Sequence, residues 1–313
     1  MRKVVDVAAG VIYQEDGSFL LGQRAPGTFY PGYWEFPGGK VEAGETPAQA
    51  LCRELDEELG LRVLKLRPWL MREHLYEHAH VRLHFFEVTE WSGAVNDHVH
   101  SALKWVVAGT MEQECTPMLP ANGPILKALH LPRRMGITQA ADIGIETQLA
   151  RLDGALDRGL GLVQIRESAL PSDERRRFAV EVVRRAHAHG AIVVVGDDAE
   201  LARAIGADGL HLPAARLMSC EERPDFAWVG ASCHCRDELL HAARLELDYA
   251  LLGSVMPTLS HPERTPLGWE GFAREMQSLP IPVFALGGLG WGDLEHARNI
   301  GAHGVAAIRG AWA

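Results

Sequence analysis

Residues 39–61 read GKVEAGETPAQALCRELDEELGL, and Glu54, Glu57 and Glu58 fall within five positions, with Asp56 between them and Glu45 upstream. The stretch is laid out as a helix. Thr46 suits the N-cap, Pro47 the first helical position, Gln49 completes a capping box, and Gly60 stands where a left-handed C-cap belongs. Ala48, Leu51, Cys52, Leu55 and Leu59 share an apolar face. Glu54, Glu57 and Glu58 project from another, since separations of three and four bring side chains together. Like charges at that spacing destabilise a helix by roughly a few tenths of a kcal/mol per pair. A solvated acidic face is the ordinary reading of such a cluster. Two features favour chemistry instead: Arg53 lies one turn before Glu57, and the glycine turn FPGGK (36–40) precedes the helix and exposes carbonyls. Carboxylates, carbonyls and water make the hard oxygen site that Mg2+ or Mn2+ prefers. A phosphate chain is its natural partner, because the metal neutralises phosphate oxygens and activates water.

The 313 residues are enough for two domains with their own cores, and 47% hydrophobic and 23% charged residues are ordinary for a globular chain. A net charge of −10 argues against binding a nucleic-acid polymer or an anionic membrane. A nucleotide stays open as substrate, because a metal and a few arginines meet its charge locally. Cys52, Cys115, Cys220, Cys233 and Cys235 are odd in number and lack a framework spacing, which fits a reducing cytoplasm. The start MRKVVDVAAGVIY is basic then apolar, but Asp6 interrupts it, so it reads as a first strand and not a signal peptide. No segment approaches transmembrane length. A cytoplasmic location is the expectation.

The rhythm changes along the chain. Residues 1–130 predict strands at 4–13, 18–24, 81–90 and 103–108, with a last helix over 122–130. After LHLPRR (129–134), eight short apolar runs alternate with helical segments: MGIT, GLVQIR, AIVVVG, DGLHL, WVGASC, YALLGSV, PVFALGG and GVAAIRG. That alternation describes a (β/α)8 barrel. The expected organisation is α/β overall: a domain over 1–130, a linker at 131–134, and a barrel over 135–313. The eighth run ends near Gly310, leaving no residues for the covering helix. The outer faces of the first and eighth strands are therefore expected to be bare and to seek cover from the first domain or from a second barrel, with a homodimer through the barrels favoured.

The opening stretch resembles the Nudix box. Gly39, Glu45, Arg53, Glu54, Leu55, Glu57, Glu58, Gly60 and Leu61 fill every defined position of that motif. The resemblance implies an α/β/α sandwich that hydrolyses a nucleoside diphosphate linked to another group. It implies metal at Glu54, Glu57, Glu58 and the Gly38 carbonyl, with Arg53 orienting the glutamates and Glu54, Glu57 and Arg53 catalytic. Within the family the chain is most similar to the MutT type, which cleaves oxidised purine nucleoside triphosphates, chiefly 8-oxo-dGTP. LLGQRA (20–25) carries Arg24, EFPGGK (35–40) carries Glu35, Phe36, Pro37 and Gly38, and LPANGPIL (119–126) carries Asn122, all implied to contact substrate. An amide offers a purine edge both donor and acceptor. Without the family, Asn122 reads as a helix N-cap. Two departures stand out. The loop APGTFYPGY (25–33) puts Phe29 where a polar contact is expected, and Lys104 precedes Trp105 where the MutT type has a metal-binding glutamate. Asp97, His98 and His100 are candidate stand-ins, the alternative being a site that works with fewer ligands. His78, His80, Arg82 and His84 alternate along one strand face and read as solvated or substrate-facing in preference to a zinc site.

Residues 135–313 resemble the thiamine phosphate synthase and TenI (thiazole tautomerase) superfamily. LVQIRES (162–168), GADGLHLP (206–213), VGASCH (229–234), DYALLGSVMPT (248–258) and IPVFALGGL (281–289) match its strand-end motifs in order. Barrel sites lie at the carboxyl ends of strands. Gln164, Arg166, His211, His234, Thr258, Gly287, Gly288 and Arg309 are thus expected at one mouth, with Gln164, Arg166, Gly287, Gly288 and Arg309 holding phosphate. The synthase's metal and diphosphate motifs read VGDDAE (195–200) and HLPAAR (211–216) here. Asp197 or Asp198 remains as one replacement ligand, and thiamine phosphate synthesis is discounted. The tautomerase subtype uses a histidine after the fifth strand. His234 holds that position and suits proton transfer near neutral pH, with a hydrogen-bonded mouth residue as the equal alternative. The expected protein is a Mg2+-dependent nucleoside triphosphate pyrophosphohydrolase joined to a barrel for a thiazole or pyrimidine phosphate. Its rivals are a bifunctional thiamine-pathway enzyme and a barrel serving only as sensor or dimerisation module.

Overall fold

The computed structural model describes residues 3–96, 98–110, 114–258 and 265–312. The chain divides into two compact units, Met1–His130 and Leu131–Ala313.

The first unit runs β1 (Val4–Ile12), β2 (Phe19–Arg24), β3 (Trp34–Glu35), β4 (Gly38–Lys40), α1 (Pro47–Leu59), β5 (Arg62–Leu75), β6 (His80–Ser92), β7 (His100–Val106) and α2 (Gly123–Leu129). One sheet has the order β4-β1-β6-β5, the other β3-β2-β7. β1 and β6 are parallel, and the remaining pairings are antiparallel. The apolar run along β1 is buried on both faces. Ala8 and Ile12 pack with Leu51, Leu55 and Leu59 of α1, while Ala9 and Val11 pack with Ile125 and Leu126 of α2. That alternation makes the α/β/α sandwich. It also fixes α1 against β4, so the acidic face of the helix stands beside the glycine turn.

β5 is the one long strand that the sequence patterning does not predict. It carries Pro68, and its register against β6 shifts between Pro68 and Met71. An edge strand tolerates proline because its outer N–H groups have no ladder partner to lose.

The second unit is a closed, all-parallel barrel of eight strands: β8 (Arg134–Ile137), β9 (Leu162–Ile165), β10 (Ile192–Gly196), β11 (Gly209–Leu212), β12 (Trp228–Cys233), β13 (Tyr249–Leu252), β14 (Val283–Leu286) and β15 (Gly304–Ala307). The helices outside it include α4 (Ile145–Asp157), which follows α3 (Ala140–Ile143), and then α5 (Ser172–Ala188) and α6 (Ala199–Ile205). Met135, Ile137, Leu162, Val194, Tyr249, Leu251, Phe284 and Ala306 fill the interior. Tyr249 fits because Gly230 faces it: a Cβ there would come within 2.1 Å of its ring.

Among the described residues no helix follows β15, as expected, yet the outer faces of β8 and β15 are not bare. Trp312 is only 3% exposed and joins Leu152, Leu156, Leu160, Ala307 and Ala311 in one apolar cluster. Its indole lies against Gly136 of β8, where a Cβ would come within 2.8 Å of the ring, and its Nε1 donates to the Ile137 carbonyl at 3.1 Å. One aromatic side chain thus covers part of the surface that a terminal helix would have covered. The bare stripe that motivated a dimer is absent, and that expectation loses its ground.

Candidate active site

The carboxylates of α1 are organised by one guanidinium. The helix begins with the expected capping box, Thr46 and Gln49 exchanging side-chain and backbone hydrogen bonds, and ends at Gly60 with φ 66°. Arg53 Nη1 donates to Glu54 at 3.0 Å and to Glu57 at 3.1 Å, Nη2 donates to Glu45 at 2.8 Å, and Nη2 also reaches the Lys40 carbonyl at 3.1 Å. The Arg53 bond and a backbone N–H from Glu42 hold the Glu45 carboxyl below its ordinary pKa. These acidic partners raise Arg53 itself. Arg53 therefore ties the helix face to the turn in front of it.

The two glycines of that turn are sterically required. Gly38 has φ 146°, and a Cβ on it would lie 2.1 Å from the Ala8 carbonyl oxygen. A Cβ on Gly39 would lie 2.2 Å from the Glu54 carboxyl carbon. The Glu54 carboxylate occupies the space a side chain at 39 would fill. Among the described residues, no three histidine, cysteine or acidic side chains are already gathered to hold a metal ion. The donor set is nonetheless hard oxygen throughout, which fits a Mg2+-class ion and not a thiolate or imidazole metal.

A second cluster forms on the three-stranded sheet. Arg24 Nη1 reaches both Glu35 oxygens at 2.7 Å, and its Nε donates to the Phe29 carbonyl at 2.6 Å. Burial raises the Glu35 pKa, with Arg24 opposing that shift. His100 lies over Gly22, where a Cβ would meet its ring at 2.3 Å, and its charge is felt at Glu35. Of the proposed stand-ins for the missing glutamate, His100 thus joins the Arg24–Glu35 pair. His98 donates its backbone N–H to the Glu58 carbonyl at 3.2 Å, and Asp97 lies outside the described residues. Lys104 pairs with Glu114 at 2.8 Å.

Two residues implied to contact substrate have buried side chains. The Phe36 ring is 4% exposed and packs between Phe19 and Phe85, with centroids 5.9 and 5.8 Å away. The ring belongs to the core. Pro37 is also buried, and its carbonyl accepts from Gly10 N–H at 2.9 Å. Asn122 behaves differently. It is 4% exposed, makes no side-chain cap, and its amide donates only to Met118 Sδ at 3.9 Å. A thioether is a poor partner for a buried amide. Asn122 stands at the N-cap position of α2, but its side chain does not serve as the cap.

Sequence reasoning missed Tyr76. Its hydroxyl takes a backbone hydrogen bond from Ala121, next to Asn122, and it lies near enough to Arg24, Glu35 and Tyr30 to feel their charges. No local signal marks it, since it enters from the β5–β6 turn. The row His80, Arg82 and His84 is engaged with carboxylates: His80 and Arg82 with Glu73 at 3.1 and 2.9 Å, and His84 with Asp6 at 2.8 Å.

At the barrel mouth, two cavities of about 100 and 320 Å3 share Thr258, Leu286, Gly287 and Ile308 in their walls. Arg166, Ser232 and His234 line the smaller, Gly288 and Arg309 the larger. Two residues expected here sit behind the lining. Gln164 is buried with its side-chain oxygen unpartnered. His211 is buried between Tyr249 Oη at 3.1 Å and Ser232 Oγ at 2.8 Å. His234 pairs through Nδ1 with Glu238 at 3.1 Å. Asp198 is engaged structurally, accepting from Leu201 N–H to cap α6 and pairing with Arg175 at 2.7 Å. Glu167, which the sequence did not single out, is buried and accepts from the N–H groups of Ala140 and Ala141.

Burial, with the Arg166 charge assisting, pushes His211 down to about 3. Burial likewise lowers His303, which accompanies Arg133 at the opposite end of the barrel. The folded barrel holds both rings neutral, while an unfolded chain protonates them below their ordinary pKa of 6.5. Stability from this source is complete above pH 6.5 and is lost as pH falls from there towards the folded values. For His211 alone the loss by pH 5 is about 2 kcal/mol. Chemical denaturation at pH 7.5 and 5.0 should show it, and His211→Asn should flatten that pH difference. An unchanged difference in the variant would remove His211 as a source.

Comparison with known proteins matches residues 135–311 to the family described as thiamine monophosphate synthase and residues 3–129 to the NUDIX domain. The chain is 41% identical over 96 residues to the 8-oxo-dGTP diphosphatase of Proteus vulgaris, covering 31% of this chain and 86% of that protein. It is 36% identical over 126 residues to the CTP pyrophosphohydrolase of Escherichia coli strain K12, covering 40% and 91%. It is 32% identical over 161 residues to the thiamine-phosphate synthase of Halorhodospira halophila, covering 50% and 76%. Among the described residues no helix is long and apolar enough to cross a membrane. With the box residues assembled around Arg53 and the barrel closed, the chain belongs to the Nudix hydrolases through its first unit and to the thiamine monophosphate synthase and TenI family through its second.

Proposed function

We propose that the first unit hydrolyses oxidised purine nucleoside triphosphates, 8-oxo-dGTP foremost, to the monophosphate and pyrophosphate, and so cleanses the nucleotide pool that DNA synthesis draws on. The observation that carries this reading is Asn122: a buried amide whose hydrogen-bonding capacity is left to a thioether, one residue from Ala121, whose backbone meets Tyr76. A purine edge would supply the donor and acceptor it lacks. The similarity to the Proteus vulgaris enzyme supports the same substrate class.

Glu54, Glu57, Glu58 and the Gly38 carbonyl would hold Mg2+ or Mn2+, which when bound neutralises phosphate oxygens and lowers the pKa of a water. Arg53 orients the carboxylates from the side, and Arg24, steadied by Glu35 and the Phe29 carbonyl, presents its guanidinium to the substrate. Asn122→Ala is expected to cut the kcat/KM preference for 8-oxo-dGTP over dGTP about tenfold, through loss of edge contacts. Unchanged selectivity would remove Asn122 as the base reader.

The barrel, on the same footing, is read as a site for a phosphate ester of a small ring, thiazole or pyrimidine phosphate. Its support is the adjoining pair of cavities, one offering Arg166 and the Glu238-held His234, the other the glycine turn and Arg309. Calorimetric titration of the full chain with a thiazole phosphate tests it, and absence of heat at millimolar ligand would remove it.

A further inference from the structure

A chain of hydroxyl and imidazole groups runs from the barrel interior to its mouth. Gly230 of β12 is paired with His211 of β11 on one side and with Tyr249 of β13 on the other. Having no side chain, it leaves the gap through which the phenol crosses to His211, since a Cβ there would lie 2.1 Å from the Tyr249 ring. Tyr249 Oη meets His211 Nδ1 at 3.1 Å, and Nε2 on the other edge of the imidazole meets Ser232 Oγ at 2.8 Å. Ser232 then lines the smaller cavity beside Arg166 and His234. Counting protons gives the chain a direction. Tyr249 is fully buried in the apolar interior, and among the described residues His211 is the one hydrogen-bond partner of its hydroxyl. Were the imidazole proton on Nδ1, the phenol proton would face apolar side chains with no acceptor, which disfavours that tautomer about tenfold. An imidazolium, protonated on both nitrogens, strands the phenol proton in the same way, and the Arg166 charge opposes it as well. Every group is satisfied when Tyr249 donates to Nδ1 and Nε2–H donates to Ser232 Oγ. The serine proton is then left to donate into the cavity, for among the described residues Ser232 has no second side-chain partner.

We infer that His211 and Tyr249 are positioning residues that make Ser232 a one-way hydrogen-bond donor, so that the smaller cavity selects ligands presenting an acceptor atom there, a ring nitrogen or an anionic oxygen. The inference deepens the reading of the barrel as a site for a ring phosphate, and its first test does not depend on that reading. It also excludes a rival assignment. A serine hydrogen-bonded to a histidine invites the roles of nucleophile and base. Here Nε2 already carries a proton and the Nδ1 lone pair is taken by the phenol, so His211 cannot receive the serine proton. Arg166 in the same wall adds further donors and no acceptor, which points to the same class of ligand atom.

Nitrogen-15 NMR of the full chain, with the His211 signals assigned by their loss in His211→Asn, reads the tautomer directly. Wild type should show Nε2 protonated and Nδ1 bare at neutral pH. Tyr249→Phe keeps the ring and removes the phenol donor, and both tautomers should then appear in comparable amounts. A wild-type ring protonated on Nδ1, a tautomer unmoved in Tyr249→Phe, or labelling of Ser232 by a fluorophosphonate would each overturn the inference. Calorimetry with a thiazole phosphate reads the ligand side. Ser232→Ala should weaken Kd about 2- to 10-fold. Tyr249→Phe should weaken it about twofold, because about half the molecules then turn the serine proton inward, and should add nothing in the Ser232→Ala background. Weakening by Tyr249→Phe that persists in that background would be a packing effect and would overturn the positioning role. If the tautomers behave as expected but wild type gives no heat with the thiazole phosphate, the donor stands and the proposed ring phosphate falls.

Discussion

Glu57→Gln is expected to lower nucleoside triphosphate hydrolysis by about 100-fold or more while leaving the melting temperature within a few degrees of wild type. The substitution keeps volume and removes one negative charge from the helix face. Folding tolerates this for two reasons. The Glu57 side chain is 60% exposed, and its pairing with Arg53 at 3.1 Å is one of three that the guanidinium makes to carboxylates. An ion pair that exposed contributes little to stability. Catalysis does not tolerate it, because an amide oxygen is a neutral donor that cannot offset the charge of a divalent ion facing a triphosphate. Steady-state rates at saturating Mg2+, beside a thermal melt, separate the two effects. Turnover near wild type would remove Glu57 from the ligand set, and a collapsed melt would mean the charge is structural.

How much of this was readable beforehand depended on the distance over which each feature is determined. α1 was legible to the residue because caps, proline and C-terminal glycine are local devices whose physics needs no tertiary context. The barrel was legible because eight apolar runs repeat one pattern. β5 was not, since Pro68 and its shifted register erase the alternation that marks a strand. Within the site, a motif names positions but not the direction each side chain takes. Phe36 lies in the same turn as Gly38, yet it points into the core between Phe19 and Phe85. The features that no spacing rule reaches are those assembled from remote segments. Tyr76 meets Ala121, Phe29 meets His78, and Tyr249 meets His211 across 38 residues. Lys104, an apparent defect in the metal site, has its own partner in Glu114.

The misjudged barrel edge leads to the other large effect. Trp312→Ala is expected to destabilise the barrel by about 3–5 kcal/mol. The indole is almost fully buried against Gly136 and Leu160 and shares a cluster with Leu152, Leu156 and Ala311. Truncation removes that apolar contact and opens a cavity beside β8. It also leaves the Ile137 carbonyl without the Nε1 donor at 3.1 Å. Gly136 cannot close the gap, having no side chain. Trp312→Phe separates the contributions, since it keeps most of the apolar contact and loses only the indole donor and part of the volume, so its cost should be less than half. Urea denaturation of the full chain gives the magnitudes, and hydrogen exchange shows whether the loss falls at the barrel. Amides of β8 and β9 should lose protection in Trp312→Ala while those of β1 and β6 keep theirs. A variant within about 0.5 kcal/mol of wild type, the range of an ordinary surface substitution, would mean that the aromatic cover contributes nothing and that the barrel edge is held by its strand ladder alone.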